Sequence, residues 1–266
     1  MKAGRWAAVL AGALLATSVA ACSSSDKTFT FCTDPNYPPA EFHQVGKVGS
    51  AELKRQLVGA DIDIAHDVAK RIDRSVRYTE TPFTGIIPAL LDQRCDAIIS
   101  FMNDTPERRK QLAFVDYLQA GQSVMIGKDA APVNGVADLY GRTVSVARET
   151  TEEQFLTAQN KTAPAGQSIT IRSYDTENDA IYALQKNTVQ VYFGDTPIVA
   201  SAVAADKSLA RGAELVKPTP IGIALRPGDS RIDKIATAVR DLYDNGTVGR
   251  ILAKWNFSRY AITPVS

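Results

Sequence analysis

From Thr28 onward, short apolar runs alternate with longer segments whose apolar positions recur every three or four residues. The runs Thr28–Thr33 (TFTFCT), Ser75–Glu80 (SVRYTE), Cys95–Ser100 (CDAIIS), Ser123–Lys128 (SVMIGK), Thr143–Ala147 (TVSVA), Ile169–Tyr174 (ITIRSY) and Val189–Asp195 (VQVYFGD) predict strands. Between them, Asp61–Ile72 carries Ile64, Val68 and Ile72 on one stripe and predicts a helix, as do Gly85–Gln93, Thr150–Gln159 and Glu177–Asn187. Alternation on this scale produces βαβ units, hence an α/β fold with mostly parallel sheets covered by helices. Gln44–Leu57 has no clear period and is expected to be a surface insertion. Near the C-terminus, Ile232, Ile235, Ala236, Val239 and Leu242 form one helical stripe, Asn245-Gly246 stops it, and Thr247–Trp255 begins another helix.

Two stretches read as linkers. Gln119–Ser123 (QAGQS) is small and polar between two strands, and Val216–Pro227 (VKPTPIGIALRP) holds three prolines. If both cross between lobes, the first lobe comprises residues 28–118 plus 221–266 and the second 123–217. Ligands of open α/β sheets bind beyond the carboxyl ends of the strands, so two such lobes facing each other enclose a cleft. A length of 266 residues suits two domains, and 45% hydrophobic with 22% charged residues supplies their cores. The formal charge of +1, without long runs of one sign, argues against a nucleic-acid binder. Two histidines and three cysteines leave little for a His/Cys metal site, and neither metal nor cofactor is expected.

The first residues read as an address. Lys2 and Arg5 precede an apolar run from Trp6 to about Leu15 and then small residues up to Cys22, the layout of a secretory signal. The apolar run is shorter than the ~20 residues of a spanning helix. Val19–Cys22 (VAAC) resembles a bacterial lipobox, which implies lipidation of Cys22 and cleavage of residues 1–21, with residues 22–27 as a tether. The alternative is an ordinary secreted protein cleaved near Ala21. Cleavage removes Lys2 and Arg5 and no acid, so the charge passes from +1 to −1. It leaves Cys32 and Cys95, an even pair in an oxidising compartment, and a disulfide is expected; two buried free thiols are the alternative.

Candidate chemistry gathers where strands end. Asp34, Tyr37 and Phe42 follow the first strand, Phe83 precedes a helix, and Phe101, Asn103, Thr105 and Arg108 follow CDAIIS. Thr150 and Thr151 open a helix, and Asp195 ends a strand. An arginine can hold a carboxylate through two parallel hydrogen bonds, a helix N-terminus can hold the same anion, and a carboxylate across the cleft can take an ammonium. Together these groups suit the two ends of a zwitterion.

The segments TDPNYPPAEF, GADIDIAHDVAKRI, FTGIIPALLDQRCDAIISFMNDTPERRKQLAFVDY, DLYGRTVSVARETTEEQF and NGTVGRILAKW resemble, in order from about Thr28 to Phe257, the polar-amino-acid-binding proteins of bacterial ABC importers, extracellular solute-binding family 3. The resemblance implies a type II periplasmic-binding fold with two lobes and a two-strand hinge, no catalysis, a membrane permease as partner and a monomeric state. By position, it implies that Arg108 grips a ligand α-carboxylate with help from Asn103 and the Thr151 N–H. Asp195 would take the α-ammonium beside the Phe101 carbonyl, Tyr37 and Phe83 would sandwich the side chain, and Asp34 would face its far end. Each has a plainer reading: Thr150 and Thr151 as a helix cap, Asp195 as a cap, Tyr37 and Phe83 as core, Asp34 as a turn residue before Pro35. Phe101 and Asn103 depart from the small residue and the Ser or Thr usual at those places, and Ala60 from a bulky aromatic. Asp34 favours a side chain that donates hydrogen bonds, a basic amino acid slightly ahead of glutamine. The rival readings are a cyclohexadienyl dehydratase-like enzyme, with Glu41 or Glu80 as candidate acid and nothing in the sequence marking either as buried, and a ligand-sensing subunit of a signalling system.

Overall fold

The computed structural model describes residues 27–48 and 52–262. The signal segment, Cys22 and the tether up to residue 26 lie outside the described residues. The strands, in chain order, are β1 (Thr28–Thr33), β2 (Asn36–Tyr37), β3 (Glu41–Val48), β4 (Glu52–Val58), β5 (Ser75–Glu80), β6 (Ala97–Ile98), β7 (Ala113–Gly127), β8 (Thr143–Ala147), β9 (Thr170–Tyr174), β10 (Val191–Asp195) and β11 (Leu209–Leu225). The α-helices are α1 (Ala60–Arg71), α2 (Phe83–Leu91), α3 (Thr151–Asn160), α4 (Glu177–Gln185), α5 (Thr196–Ala205), α6 (Ile232–Asp244) and α7 (Thr247–Lys254).

Among the described residues, the main sheet runs β5-β1-β6-β11-β7-β10-β8-β9. β1 is parallel to β5 and β6 at one end, and β8 is parallel to β9 and β10 at the other. The antiparallel pair β7–β11 joins the two groups, with register from Leu209↔Gly127 to Leu225↔Ala113. Its far sections pair with different neighbours: Ala224 and Leu225 with β6, and Gln122–Ile126 with β10. Among the described residues, separate buried clusters lie on either side of this crossing. Phe29, Phe31, Ile64, Val68, Tyr117 and Ile223 belong to one, and Val124, Val144, Val146, Leu156 and Phe193 to another. The fold is the two-lobed α/β architecture of periplasmic binding proteins.

The expected linkers are not irregular: Gln119–Ser123 lies inside β7, and Val216–Leu225 inside β11. The register shifts of the pair fall between Arg211 and Gly222, where Pro218 and Pro220 supply no N–H to the ladder. The expected insertion Gln44–Leu57 belongs to a hairpin, with Phe42↔Val58, His43↔Leu57 and Gln44↔Gln56 in register, and β2 completes a three-stranded sheet. Its polar residues do not alternate with apolar ones, so the period of two is hidden. β6 spans only Ala97–Ile98 of the six residues expected there. Cys95 therefore sits in the turn after α2, beside β1, and is bonded to Cys32 with a Cα separation of 5.6 Å, within the range that a bridge requires.

Gly59 enters α1 at φ +141°, and a Cβ there would meet the Ala40 carbonyl oxygen at 2.0 Å. This close approach fixes the β2–β3 turn against the start of α1. Gly246, at φ +75°, ends α6 in the left-handed region and admits α7 at a new angle.

Candidate functional site

The cleft between the lobes holds a cavity with about 460 Å³ of empty space, its mouth included. Asp34, Tyr37, Phe83, Phe101, Asn103, Arg108, Thr150 and Asp195 line it. Of the nine expected site residues, Thr151 alone is set back from the wall.

On the first lobe, Asp34 follows β1 and is 7% exposed. Its Oδ1 accepts from Asn36 Nδ2 at 2.6 Å and its Oδ2 from the Phe83 N–H at 2.9 Å, at the start of α2. Burial raises its pKa against the effect of these bonds. Asp34 is thus a turn residue whose carboxylate also faces the cavity. Arg108 is 7% exposed, stands with its guanidinium 5.5 Å from the Phe83 ring centroid, and donates to the Asn103 carbonyl at 3.0 Å. Burial lowers its pKa, and Glu152 and Asp195 pull the other way. Its neighbour Arg109 instead pairs with Asp104 outside the cavity.

Phe101 takes φ +44°, unusual for a non-glycine residue. Its N–H donates to Asp61 Oδ2 at 2.7 Å, and its ring sits 5.6 Å from Tyr37 and 5.8 Å from Phe257. The bulky side chain therefore forms cavity wall and core at once. Tyr37 has a polar use as well: its hydroxyl donates to Asp195 Oδ2 at 2.5 Å, a bond that crosses the cleft.

On the second lobe, Thr150 is the N-cap of α3, accepting from the Glu153 N–H at 3.3 Å. The Thr151 hydroxyl donates to Asn103 Oδ1 at 3.0 Å and accepts from Gln122 Nε2 at 2.6 Å. It acts on the cavity through Asn103 and makes the second link across the cleft. Asp195 stands at the N-cap position of α5, but its side chain caps nothing. It is 3% exposed, and its Oδ1 has no hydrogen-bond partner. Burial first, then Glu152, push its pKa well above the usual carboxylate range.

Three buried acids on the wall escaped sequence reasoning as members of this site. Glu41, weighed only as an enzyme's acid, is 1% exposed and accepts from Ser100 Oγ at 2.8 Å, whereas Glu80 is surface-exposed and pairs with His43. Burial and nearby Asp61 raise the Glu41 pKa well above normal. Glu152 follows the Thr150 cap, is 5% exposed, and has an unpartnered Oε1. Glu177 follows Thr176, the N-cap of α4, and accepts from the Tyr192 hydroxyl. Burial, then Glu152, push its pKa up to about 8. An acid in the first turn of a helix reads as a partner for the helix dipole, which conceals these two. The available signal was the end of β9, SYDTE, a strand end like those already singled out.

Asp34, Glu41, Glu152, Asp175, Glu177 and Asp195 thus share a cavity whose basic side chain is Arg108. An arginine and acids from both lobes, set around one cavity, define a receptor site for a small charged solute. The chain belongs to the bacterial extracellular solute-binding proteins, family 3, whose pattern it matches over residues 29–258. It is 30% identical to the putative ABC transporter arginine-binding protein 2 of Escherichia coli K12, over 96% of this chain and 99% of that one. Among solved structures it is similar to an ancestral arginine-binding protein bound to arginine, with 29% identity, a TM-score of 0.77, and 86% and 98% of the two chains covered. An ancestral arginine-binding protein bound to glutamine has 29% identity, a TM-score of 0.76, and 87% and 98% coverage.

Proposed function

We propose that this protein is a lipid-anchored extracytoplasmic receptor that delivers a basic amino acid, arginine foremost, to an ABC importer. The carrying observation is the acidity of the cavity wall: Asp175 at the rim pairs with Arg148, five buried acids share the wall with the one arginine, and three of them, Glu41, Glu152 and Asp195, keep an oxygen without a partner. Buried carboxylates are stabilised by cations, so a ligand with two positive groups and one negative group complements this wall better than a neutral one. Arg108 takes the ligand carboxylate, with Asn103 held in place by Thr151. Asp195 takes the α-ammonium, Tyr37 and Phe83 flank the side chain, and Asp34 receives its far end. The relatives that share this fold over nearly their whole length include arginine-binding proteins, which supports the same choice.

Delivery works by hinge bending, with β7 and β11 flexing at Gln119–Ser123 and Val216–Pro220 between lobes 28–118 plus 221–266 and 123–217. Ligand contacts from both lobes stabilise the closed form, and that differential affinity shifts the population toward the form a permease engages. Cys22 carries the lipid that keeps the receptor at the membrane.

A thermal-shift screen of the form starting at Ser23, against the twenty amino acids plus ornithine and citrulline, tests the ligand. Arginine at 100 times its dissociation constant stabilises by about 2.7 kcal/mol, a rise of several degrees. No rise with any amino acid sinks the reading. For the anchor, the full chain expressed in a bacterium partitions into detergent, and Cys22→Ala moves it to the aqueous phase; equal partitioning of both forms refutes lipidation.

A further inference from the structure

The charges of the cavity are unevenly compensated. The field of Arg108 reaches Glu152 and Asp195, the acids at its own end of the site. Asp34 on the first lobe and Glu177 on the second line the same cavity, where Glu152 and, more weakly, Asp34 push the Glu177 carboxyl up. Glu177 is 7% exposed, and its hydrogen-bond partner is the neutral hydroxyl of buried Tyr192 rather than a base. The partners of Asp34 are the Asn36 amide and the Phe83 N–H, likewise neutral. Closing the cleft therefore brings together two carboxylates that have no protein cation between them. Such a pair repels unless a proton or a cation enters: Glu177 keeps its proton until a cation, held from both sides, replaces it.

We infer that Glu177 is a specificity-determining residue, which together with Asp34 clamps the cationic end of the ligand side chain from the opposite lobe. This rests on the amino-acid-receptor reading and deepens it. Asp34 alone would accept any hydrogen-bond donor, a neutral amide included. The second acid favours positive charge, because a cation replaces the proton that Glu177 holds in the fold and pairs with the carboxylate left behind, whereas a neutral side chain replaces none. Discrimination thus comes from the additional ion pair that a cationic side chain forms and a neutral one does not.

Arginine and citrulline are nearly isosteric and differ by this charge, so calorimetric titration with both separates the roles. Glu177→Gln keeps the size and an acceptor for the Tyr192 hydroxyl. The variant is expected to lose about 10–100-fold in arginine affinity, the effect of one hydrogen bond to a charged group, while citrulline affinity changes by less than about threefold or improves. Glu177→Asp retains the charge and is expected to retain the preference for arginine. Thermal unfolding of each variant separates a folding defect from a binding one. The inference is overturned if Glu177→Gln leaves arginine binding unchanged, or if arginine and citrulline weaken by the same factor in a folded variant. A wild type that binds no amino acid overturns the receptor reading itself, and this inference with it.

Discussion

Arg108 and Arg109 are neighbours of one residue type, and the 3₁₀ turn Arg108–Lys110 sends them to different places. Arg108 enters the cavity wall, and Arg109 is held outside by Asp104. Alanine at 108 should lower ligand affinity by at least about 100-fold, since it removes a charge-assisted anchor from a buried site. Alanine at 109 should leave affinity within about threefold. Titration calorimetry on the two variants decides the assignment, and equal losses would contradict it. The register of TPER against the family pattern made Arg108 legible in the sequence. Glu177 was not legible, because nothing local distinguishes a cavity acid from an acid that merely starts a helix; its burial on the cavity wall makes the difference. Phe101 shows the same limit, since its ring belongs to both wall and core only through Tyr37 and Phe257, 64 and 156 positions away in the chain.

At the level of elements, the bond between Cys32 and Cys95 ties β1 to the turn that follows α2 and closes a loop of 63 residues. Loop-closure entropy assigns such a bridge about 4 kcal/mol, although measured values scatter from about 2 to 5. Replacing both cysteines by serine should lower the melting temperature by about 5–15 °C, read by calorimetry; a shift below about 2 °C would mean that the cluster of Ile86, Leu90, Ile98 and Met102 holds this corner alone. Strands and helices with one buried face were readable from their periodicity, including the break at Asn245-Gly246 between α6 and α7. The hairpin β3–β4 was not, because its pairing is a matter of backbone hydrogen bonds that no apolar period announces. Likewise, Gln119–Ser123 and Val216–Pro220 look like loops in composition, yet each borrows strand structure from the other.

For the molecule as a whole, the buried acids make stability depend on pH. Glu177 rises from its ordinary 4.5 to about 8 in the fold, and Asp61, between Tyr117 and Phe101, from 3.8 to about 7. The folded chain therefore holds protons that the unfolded chain releases. This stability is fully present below the unfolded values and is lost as pH climbs through the folded ones. Asp229, whose pKa is lowered mainly by Arg231, works in the opposite direction but in the acid range below 3.8. The unliganded protein should melt at lower temperature at pH 8.5 than at pH 5.5, and a flat profile would contradict the burial of these acids as carboxylic acids. A cationic ligand expels such protons, so arginine affinity should rise by about 3–10-fold from pH 6 to pH 8, with proton release visible as a dependence of the binding enthalpy on buffer. Affinity independent of pH would mean that no cavity acid titrates on binding.

The sequence by itself determined the α/β alternation, the tail helices, the pair of cysteines able to bond, and most of the cavity wall, because each is written in local periodicity, residue type or spacing. Tertiary structure decided which carboxylates face one another, since Asp34, Glu177 and Asp195 are brought together by two lobes folded from separate stretches of chain. It also decided their protonation, because the energy of a charge depends on the water and counter-charges that the fold leaves around it.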